Sequence, residues 1–155
     1  MAQLYLVRHA KAGERRVWTG DDVDRPLSKT GWKQATLVGK RLAALEPSVL
    51  CSSPYVRCVQ TLEPLAARLD QPVEIEKRLT EFEPLEPMLD LLAELPSGAV
   101  LCSHGDLIPA AIQALKRSGT DLRTPPDWRK ASVWVLKRNK KSQIVHATVW
   151  PPPVL

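Results

Sequence analysis

The chain has 155 residues, of which 44% are hydrophobic and 25% are charged. This length suits a single domain, and the composition is typical of a globular protein with a sizeable core, so a wholly disordered chain is excluded. Lysine and arginine outnumber aspartate and glutamate by 22 to 17, and the resulting net charge of +5 favours anionic partners without choosing among phosphates, nucleic acids and acidic proteins.

Short apolar runs alternate with amphipathic stretches over most of the chain. The predicted strands are 4–7, 49–52, 73–75 and 99–102. The predicted helices begin at a Ser28 or Thr30 cap, at Ser53-Pro54 with serine as N-cap, at Pro87 and at Leu107; the third ends at Leu95 and the fourth at Leu115. This alternation predicts a three-layer α/β sandwich, with a mostly parallel central sheet flanked by helices.

The pattern changes after residue 120. The loop sequence TPPDW precedes two β-rich runs, 132–136 and 144–149, which a basic turn separates, so we expect a hairpin. The closing WPPPVL, residues 150–155, favours polyproline conformation and predicts a surface tail. We expect the whole of 1–155 to form one domain.

Three cysteines, Cys51, Cys58 and Cys102, cannot complete a disulfide framework, and their spacing matches no zinc motif. The opening residues lack the basic and apolar regions of a secretory signal, and no apolar run reaches the ~18 residues of a membrane span. We therefore expect a cytoplasmic protein with reduced thiols and no membrane partner.

Reactive side chains follow the predicted strands. Arg8-His9 follows the first strand, Ser53 with Arg57 follows the second, Glu81 comes after the third, and Ser103-His104-Gly105 ends the fourth. Since ligands of open α/β sheets bind beyond the carboxyl ends of the strands, we expect these side chains to converge on one rim.

Each of these residues alone has an ordinary structural explanation, but together they supply what phosphoryl transfer requires. A neutral imidazole is a good nucleophile near pH 7, because its ordinary pKa is ~6.5. Guanidinium groups neutralise phosphoryl oxygens in bidentate geometry, and a carboxylic acid can protonate a leaving group. No metal or other cofactor is expected.

Five sequence blocks resemble those of the histidine phosphatase superfamily, also called the phosphoglycerate mutase-like family. They are LVRHA (6–10), LSKTGWKQA (27–35), CSSPYVRCVQT (51–61), LTE (79–81) and CSHGD (102–106). The resemblance implies that His9 is the phosphorylated nucleophile and that Arg8, Arg57 and His104 form a phosphate pocket. It also implies that Glu81 is the proton donor.

Within the family, RHAKAG and GDDVDRPLSKTG look like the branch of short phosphohistidine phosphatases. RCVQTLEPLAARL, HGDLIPAAI and WRKASVWVL resemble the C-terminal histidine phosphatase domain of actinobacterial two-domain MutT-type Nudix hydrolases. The 155 residues contain no Nudix motif, so the resemblance predicts a free-standing relative without that pyrophosphohydrolase activity. Short phosphohistidine phosphatases often lack an equivalent of Glu81, so its presence favours phosphomonoesters or nucleotides.

Several roles stay open in the sequence. Glu83 and Asp106 are alternative proton donors to Glu81, and Ser53, Lys11 and Asp106 are expected substrate contacts. Four basic residues could form a rim for a second phosphate, although a solvated loop is the commoner interpretation; they are Lys11, Arg15, Arg16 and Arg25. Trp18 is either a base-stacking platform or a loop anchor.

The predicted function is a metal-independent phosphatase that hydrolyses phosphomonoesters or nucleotide phosphates through a phosphohistidine on His9. One alternative is a phosphatase acting on phosphohistidine in signalling proteins. The other is a non-catalytic anion-binding module. The expected partner is thus a phosphorylated small molecule or a phosphohistidine protein, and not a nucleic-acid polymer.

Overall fold

A seven-stranded sheet forms the centre of the computed structural model, which describes residues 2–155. The strands are β1 Ala2–Arg8, β2 Leu50–Ser52, β3 Val73–Ile75, β4 Val100–Ser103, β5 Asp121–Leu122, β6 Val133–Arg138 and β7 Ile144–Trp150. Their order is β3-β2-β4-β1-β6-β7-β5, and only β6 runs antiparallel to its neighbours. The prediction of a mostly parallel sheet is confirmed.

Four helices cover the two faces of this sheet. They are α1 Lys29–Ala43, α2 Val56–Leu69, α3 Leu85–Glu94 and α4 Leu107–Arg117. Leu42 of α1 and Leu62 of α2 belong to one apolar cluster, whereas Met88 of α3 and Ile112 of α4 belong to the other. The sheet therefore separates two cores, and the three-layer α/β sandwich is confirmed.

Strand β1 lies in the middle of the sheet and contributes to both cores. Leu4 and Leu6 point into the cluster under α3 and α4, and Tyr5 and Val7 point into the cluster under α1 and α2. Both leucines are fully buried, and each such burial stabilises the fold by about 1.5–3 kcal/mol. This two-sided burial explains why the strand is continuously apolar.

The carboxyl ends of β1, β2 and β4 meet at one edge of the sheet. Arg8 is paired with Ser103, and Ser52 with Cys102. The register therefore brings the residues that follow these strands, His9, Ser53 and His104, to the same edge.

Two predicted helix starts are wrong. Helix α2 begins at Val56 with Tyr55 as N-cap, and not at Ser53-Pro54. The Ser53 hydroxyl accepts the Tyr55 N–H at 3.3 Å and also lies 2.8 Å from His104 Nε2, so Ser53 belongs to the turn that precedes the helix. Helix α3 begins at Leu85, two residues before Pro87, which a first turn tolerates because its N–H groups have no helical partner there. The start of α1 is as expected, with Ser28 as the cap that accepts from the Gly31 N–H.

Several short elements lack a sequence pattern that would have predicted them. The two-residue strand β5 pairs with β7, and three 3₁₀ helices span Arg15–Val17, Asp22–Asp24 and Lys77–Leu79. The hairpin of β6 and β7 is confirmed, and residues 151–155 form no regular structure. None of the helices among residues 2–155 is long and apolar enough to cross a bilayer.

Candidate active site

His9 lies directly after β1, and the residue is 6% exposed. Its backbone N–H donates to the Ser103 carbonyl at 3.1 Å, which fixes the residue to β4. The ring Nδ1 lies 2.8 Å from the Ala10 carbonyl oxygen. Because a carbonyl oxygen only accepts hydrogen bonds, Nδ1 carries the proton and Nε2 keeps its lone pair.

The surroundings of His9 keep the ring neutral. Burial lowers its pKa to about 3, and the electrostatic repulsion of a protonated ring by His104, Arg57 and Arg8 adds to this, against the opposing hydrogen bond to Ala10. A neutral imidazole with a free Nε2 is the protonation state that a nucleophile needs.

Replacing His9 with asparagine should make folding less sensitive to acid. An unfolded histidine binds a proton below ~6.5, whereas the folded ring resists protonation down to about 3, so stability falls as the pH drops through this window. At about pH 5 the cost from this group is about 2 kcal/mol. The measurement is the free energy of unfolding in urea at about pH 7.5 and at about pH 5. The loss of free energy between these two pH values should be smaller in His9→Asn than in the wild type, by about 2 kcal/mol. An unchanged difference would contradict the neutral, buried state of His9.

Arg57, on the first turn of α2, is 1% exposed and carries the best-anchored guanidinium of the cavity. Its Nη1 donates to the Asp22 carbonyl oxygen at 2.9 Å, and its Nη2 lies 3.1 Å from carboxylate oxygens of both Asp22 and Glu81. The Thr61 hydroxyl donates to the Arg57 carbonyl and accepts from the Ala10 N–H. Thr61 therefore links helix α2 to Ala10, the residue that follows the nucleophile.

Arg8 lies across the backbone of Gly105. A Cβ atom at Gly105 would approach the Arg8 Nη2 to 2.6 Å, so the guanidinium occupies the space that a side chain at position 105 would need. Arg8 Nη1 donates to the Trp128 carbonyl, and its buried Nε has no partner among residues 2–155. One nitrogen of the guanidinium is thus fixed by the backbone, and within the described part of the chain another hydrogen-bond donor of Arg8, the residue next to His9, remains unused.

His104 follows β4 and is also buried, with its ring centre 5.6 Å from that of His9. Its Nε2 lies 2.8 Å from the Ser53 hydroxyl and 3.5 Å from the Cys58 thiol. Tyr55 packs edge-on against the ring at 4.7 Å between centres. Ser53 is fully buried behind His104, so its side chain positions that ring; the predicted contact between Ser53 and substrate stays a prediction.

The three candidate carboxylates lie in different surroundings. Glu81 lines the cavity and contacts Arg57, whereas Glu83 is exposed and lies outside the cavity lining. Asp106 also lines the cavity, but its Oδ2 accepts the Phe82 N–H at 2.8 Å. Asp106 therefore holds the turn that carries Glu81, in which Phe82 has the left-handed φ of 69°.

Asp22 contacts the arginines of the site and was not singled out from the sequence. Its carboxylate contacts Arg57 at 3.1 Å, Arg25 at 2.9 Å and Arg15 at 3.5 Å. These cations hold its pKa below the usual range, although partial burial opposes them. An aspartate in a charged, Gly-containing loop looks solvated in sequence, and no local signal marks its contact with α2.

The cavity beside His9 has a volume of about 510 Å³, and its lining is rich in cations. The predicted residues found there are Arg8, His9, Lys11, Arg57, Glu81 and Asp106, together with Arg15 and Arg25 of the loop. Lys130 joins them without having been predicted. Arg16 pairs with Glu14 at 3.0 Å and is not part of the lining.

Trp18 is anchored by its own loop. Its indole N–H donates to the Asp21 carbonyl oxygen at 2.8 Å, and the ring lies against Gly20. The indole does not belong to the cavity lining. These contacts favour the loop-anchor interpretation over the base-stacking platform.

Comparison with known proteins identifies the family to which the chain is similar. The model of the histidine phosphatase superfamily (branch 1) matches residues 4–88. The 8-oxo-(d)GTP phosphatase of Mycolicibacterium smegmatis is 36% identical over 97% of this chain, and the match spans 48% of that protein. The chain thus spans about half the length of this curated relative.

Solved structures share the fold at low sequence identity. The protein histidine phosphatase SixA, in complex with tungstate, has a TM-score of 0.75 at 22% identity over 96% of this chain and 94% of its own. A mycobacterial glucosyl-3-phosphoglycerate phosphatase has a TM-score of 0.71 at 19% identity over 99% and 100%. The family match and the strand-end residues agree, and this chain belongs to the histidine phosphatase superfamily.

Proposed function

We propose that the protein is a phosphatase that hydrolyses phosphomonoesters or nucleotide phosphates through a phosphohistidine on His9. The observation that carries the proposal is the hydrogen bond from His9 Nδ1 to the Ala10 carbonyl, which leaves Nε2 free beside Arg8, Arg57 and His104. The 36% identity to an 8-oxo-(d)GTP phosphatase supports a phosphatase with a nucleotide substrate.

In the first step, the Nε2 lone pair of His9 attacks phosphorus and the bond from phosphorus to the leaving oxygen breaks. Arg8 and Arg57 neutralise the phosphoryl oxygens, because a fixed cation in a partly closed cavity acts more strongly than one in water. Glu81 gives a proton to the departing oxygen. Water then attacks the phosphohistidine and gives a proton to the Glu81 carboxylate, and phosphate leaves as the phosphorus–nitrogen bond breaks and its electron pair returns to Nε2.

His104 and Asp106 have supporting parts in this proposal. His104, oriented by Ser53, lies edge-on to His9 and can donate to a phosphoryl oxygen. Asp106 keeps the Glu81 turn in place through the Phe82 N–H. Lys11 extends the positive surface at the cavity mouth.

One panel of substrates tests the proposal against its main alternative. The panel compares nucleoside di- and triphosphates, sugar phosphates and phosphohistidine peptides. Glu81 favours the sugar phosphates, because their alkoxide leaving group needs a proton to leave more than an imidazole does. Faster turnover of phosphohistidine peptides than of every small molecule would favour the signalling phosphatase, and no hydrolysis at all would favour the anion-binding module.

Chelation should leave the rate unchanged. In this proposal guanidinium and imidazole groups, and not a divalent ion, balance the charge of the phosphoryl group. The measurement is the rate with and without EDTA, on a phosphomonoester that does not itself bind metal. Loss of activity in EDTA with recovery on adding a divalent ion would contradict metal independence.

A further inference from the structure

A second cavity of about 650 Å³ adjoins the one that contains His9, and both are lined by Arg8, Lys11 and Lys130. Beyond the two lysines, the second cavity is bordered by Pro152 and Pro153 of the C-terminal segment. An open groove therefore leads from the nucleophile across both lysines. We call it the lysine groove.

Among residues 2–155, the two lysines share with Arg8 the lack of an acidic partner, whereas the other arginines around the site are paired. Arg15, Arg25 and Arg57 all pair with Asp22. Arg129, at the far side of the groove, pairs with Asp127 at 2.6 Å. Within the part of the chain that the structure describes, no carboxylate forms an ion pair with Lys11 or Lys130.

The backbone of Lys11 is fixed against the start of α1. Its N–H donates to the Gln34 side chain at 3.0 Å, and its carbonyl accepts the Ser28 N–H at 2.9 Å. Gly31 approaches so closely that a Cβ there would lie 1.9 Å from the Lys11 carbonyl oxygen. The side chain thus extends from a rigid base.

The backbone beside Lys130 is fixed to the nucleophile strand. The Ala131 N–H donates to the Arg8 carbonyl at 3.1 Å, and Ala131 holds the left-handed φ of 67°, which alanine rarely adopts. The backbone at both lysines is therefore fixed close to the nucleophile strand, and the two exposed side chains extend from it along the cavity lining.

The lysine groove carries more positive charge than it can neutralise internally. Burial lowers the pKa of Lys130, and repulsion by Arg8, Arg25 and Lys11 lowers it further. An anion that entered the groove would relieve this repulsion. A single phosphoryl group already engaged by Arg8 and Arg57 does not account for two further unpaired lysines.

We propose that Lys11 and Lys130 bind the second phosphate group of a phosphoanhydride substrate whose terminal phosphorus reacts with His9. This inference rests on the proposed function and names the preferred substrates within it as compounds with a phosphate–phosphate bond, such as a nucleoside diphosphate or inorganic pyrophosphate. Simple phosphomonoesters react at His9 without this second contact. The Nε2 lone pair forms the nitrogen–phosphorus bond as the bond to the bridging oxygen breaks. The electron pair stays on that oxygen, and the two ammonium groups stabilise its charge.

Isothermal titration calorimetry of the His9→Asn protein, with EDTA present, tests this subsite without turnover. The probes are inorganic pyrophosphate and orthophosphate. We expect pyrophosphate to bind more tightly, and Lys11→Met and Lys130→Met each to lower the ratio of the two affinities about tenfold. Lys140→Met, which removes one positive charge from the β6–β7 turn, should leave the ratio unchanged.

An equal effect of Lys11→Met or Lys130→Met on both anions, or no effect, would overturn the proposal. Binding of ADP then distinguishes a nucleotide substrate from an inorganic one. Tighter binding of ADP than of pyrophosphate would indicate a nucleotide, and weaker binding would indicate an inorganic polyphosphate. Calorimetry also separates this inference from the proposed function. Turnover that persists in His9→Asn would refute the phosphohistidine route. The ratio of the pyrophosphate and orthophosphate affinities would still test the role of the two lysines.

Discussion

Replacing His9 with asparagine should lower the hydrolysis rate by at least about 10⁴-fold, because the substituted amide has no lone pair able to attack phosphorus. The fold should survive, since asparagine can still donate from its side-chain amide toward the Ala10 carbonyl. The measurement is kcat on a phosphomonoester, with circular dichroism to verify folding.

The third histidine provides the matched control. His146 lies on β7, where its Nε2 contacts Arg123 at 3.1 Å. It lines neither the cavity beside His9 nor the adjoining cavity of the lysine groove. His146→Asn should retain wild-type turnover. A His9→Asn protein that is folded and as active as His146→Asn would show that another group attacks phosphorus.

Glu81→Gln should slow an alkyl or ribose phosphate by about 10²–10⁴-fold while largely sparing p-nitrophenyl phosphate. The reason is the leaving group, since a basic alkoxide needs a proton to depart and nitrophenolate does not. Glutamine also keeps an oxygen that can accept from Arg57, so the guanidinium stays in place. The measurement is kcat/KM for both substrates in the wild type and the variant.

Two further carboxylates act as controls for this selectivity. Glu83→Gln changes an exposed side chain two residues away and should leave both rates unchanged. Asp106→Asn retains an oxygen for the Phe82 N–H and should affect both substrates equally. Equal damage to both substrates in Glu81→Gln would instead assign Glu81 to phosphate positioning, and selective damage in either control would move the proton donor there.

The strand ends of this protein could be predicted because they depend on local patterns. Apolar runs mark β1, β2 and β4, and parallel pairing brings their carboxyl ends together whatever the loops do. His9, Arg57 and His104 were therefore expected at one rim. His9 and Arg57 line the same cavity, and the buried His104 ring packs against that of His9.

Contacts between distant loops could not be predicted in this way. Asp22 meets Arg57 across 35 positions of sequence, and Lys130 reaches the cavity through a turn fixed by Ala131. The contact of Ser53 with His104, 51 residues away, is likewise invisible in the local sequence. Ser53 does accept the Tyr55 N–H, but the helix begins only at Val56, because a serine-proline signal marks the turn before a helix more reliably than the first helical residue.

Trapping the phosphoenzyme measures the proposed chemistry most directly. The protein is mixed with a phosphomonoester, quenched at alkaline pH, where phosphohistidine survives, and digested for peptide mass spectrometry. We expect the mass of one phosphoryl group on the peptide that contains His9, and no such peptide from His9→Asn. A phosphoryl group on His104 instead, or rapid turnover of substrate with no phosphorylated peptide at any time after mixing, would contradict the proposed route through His9.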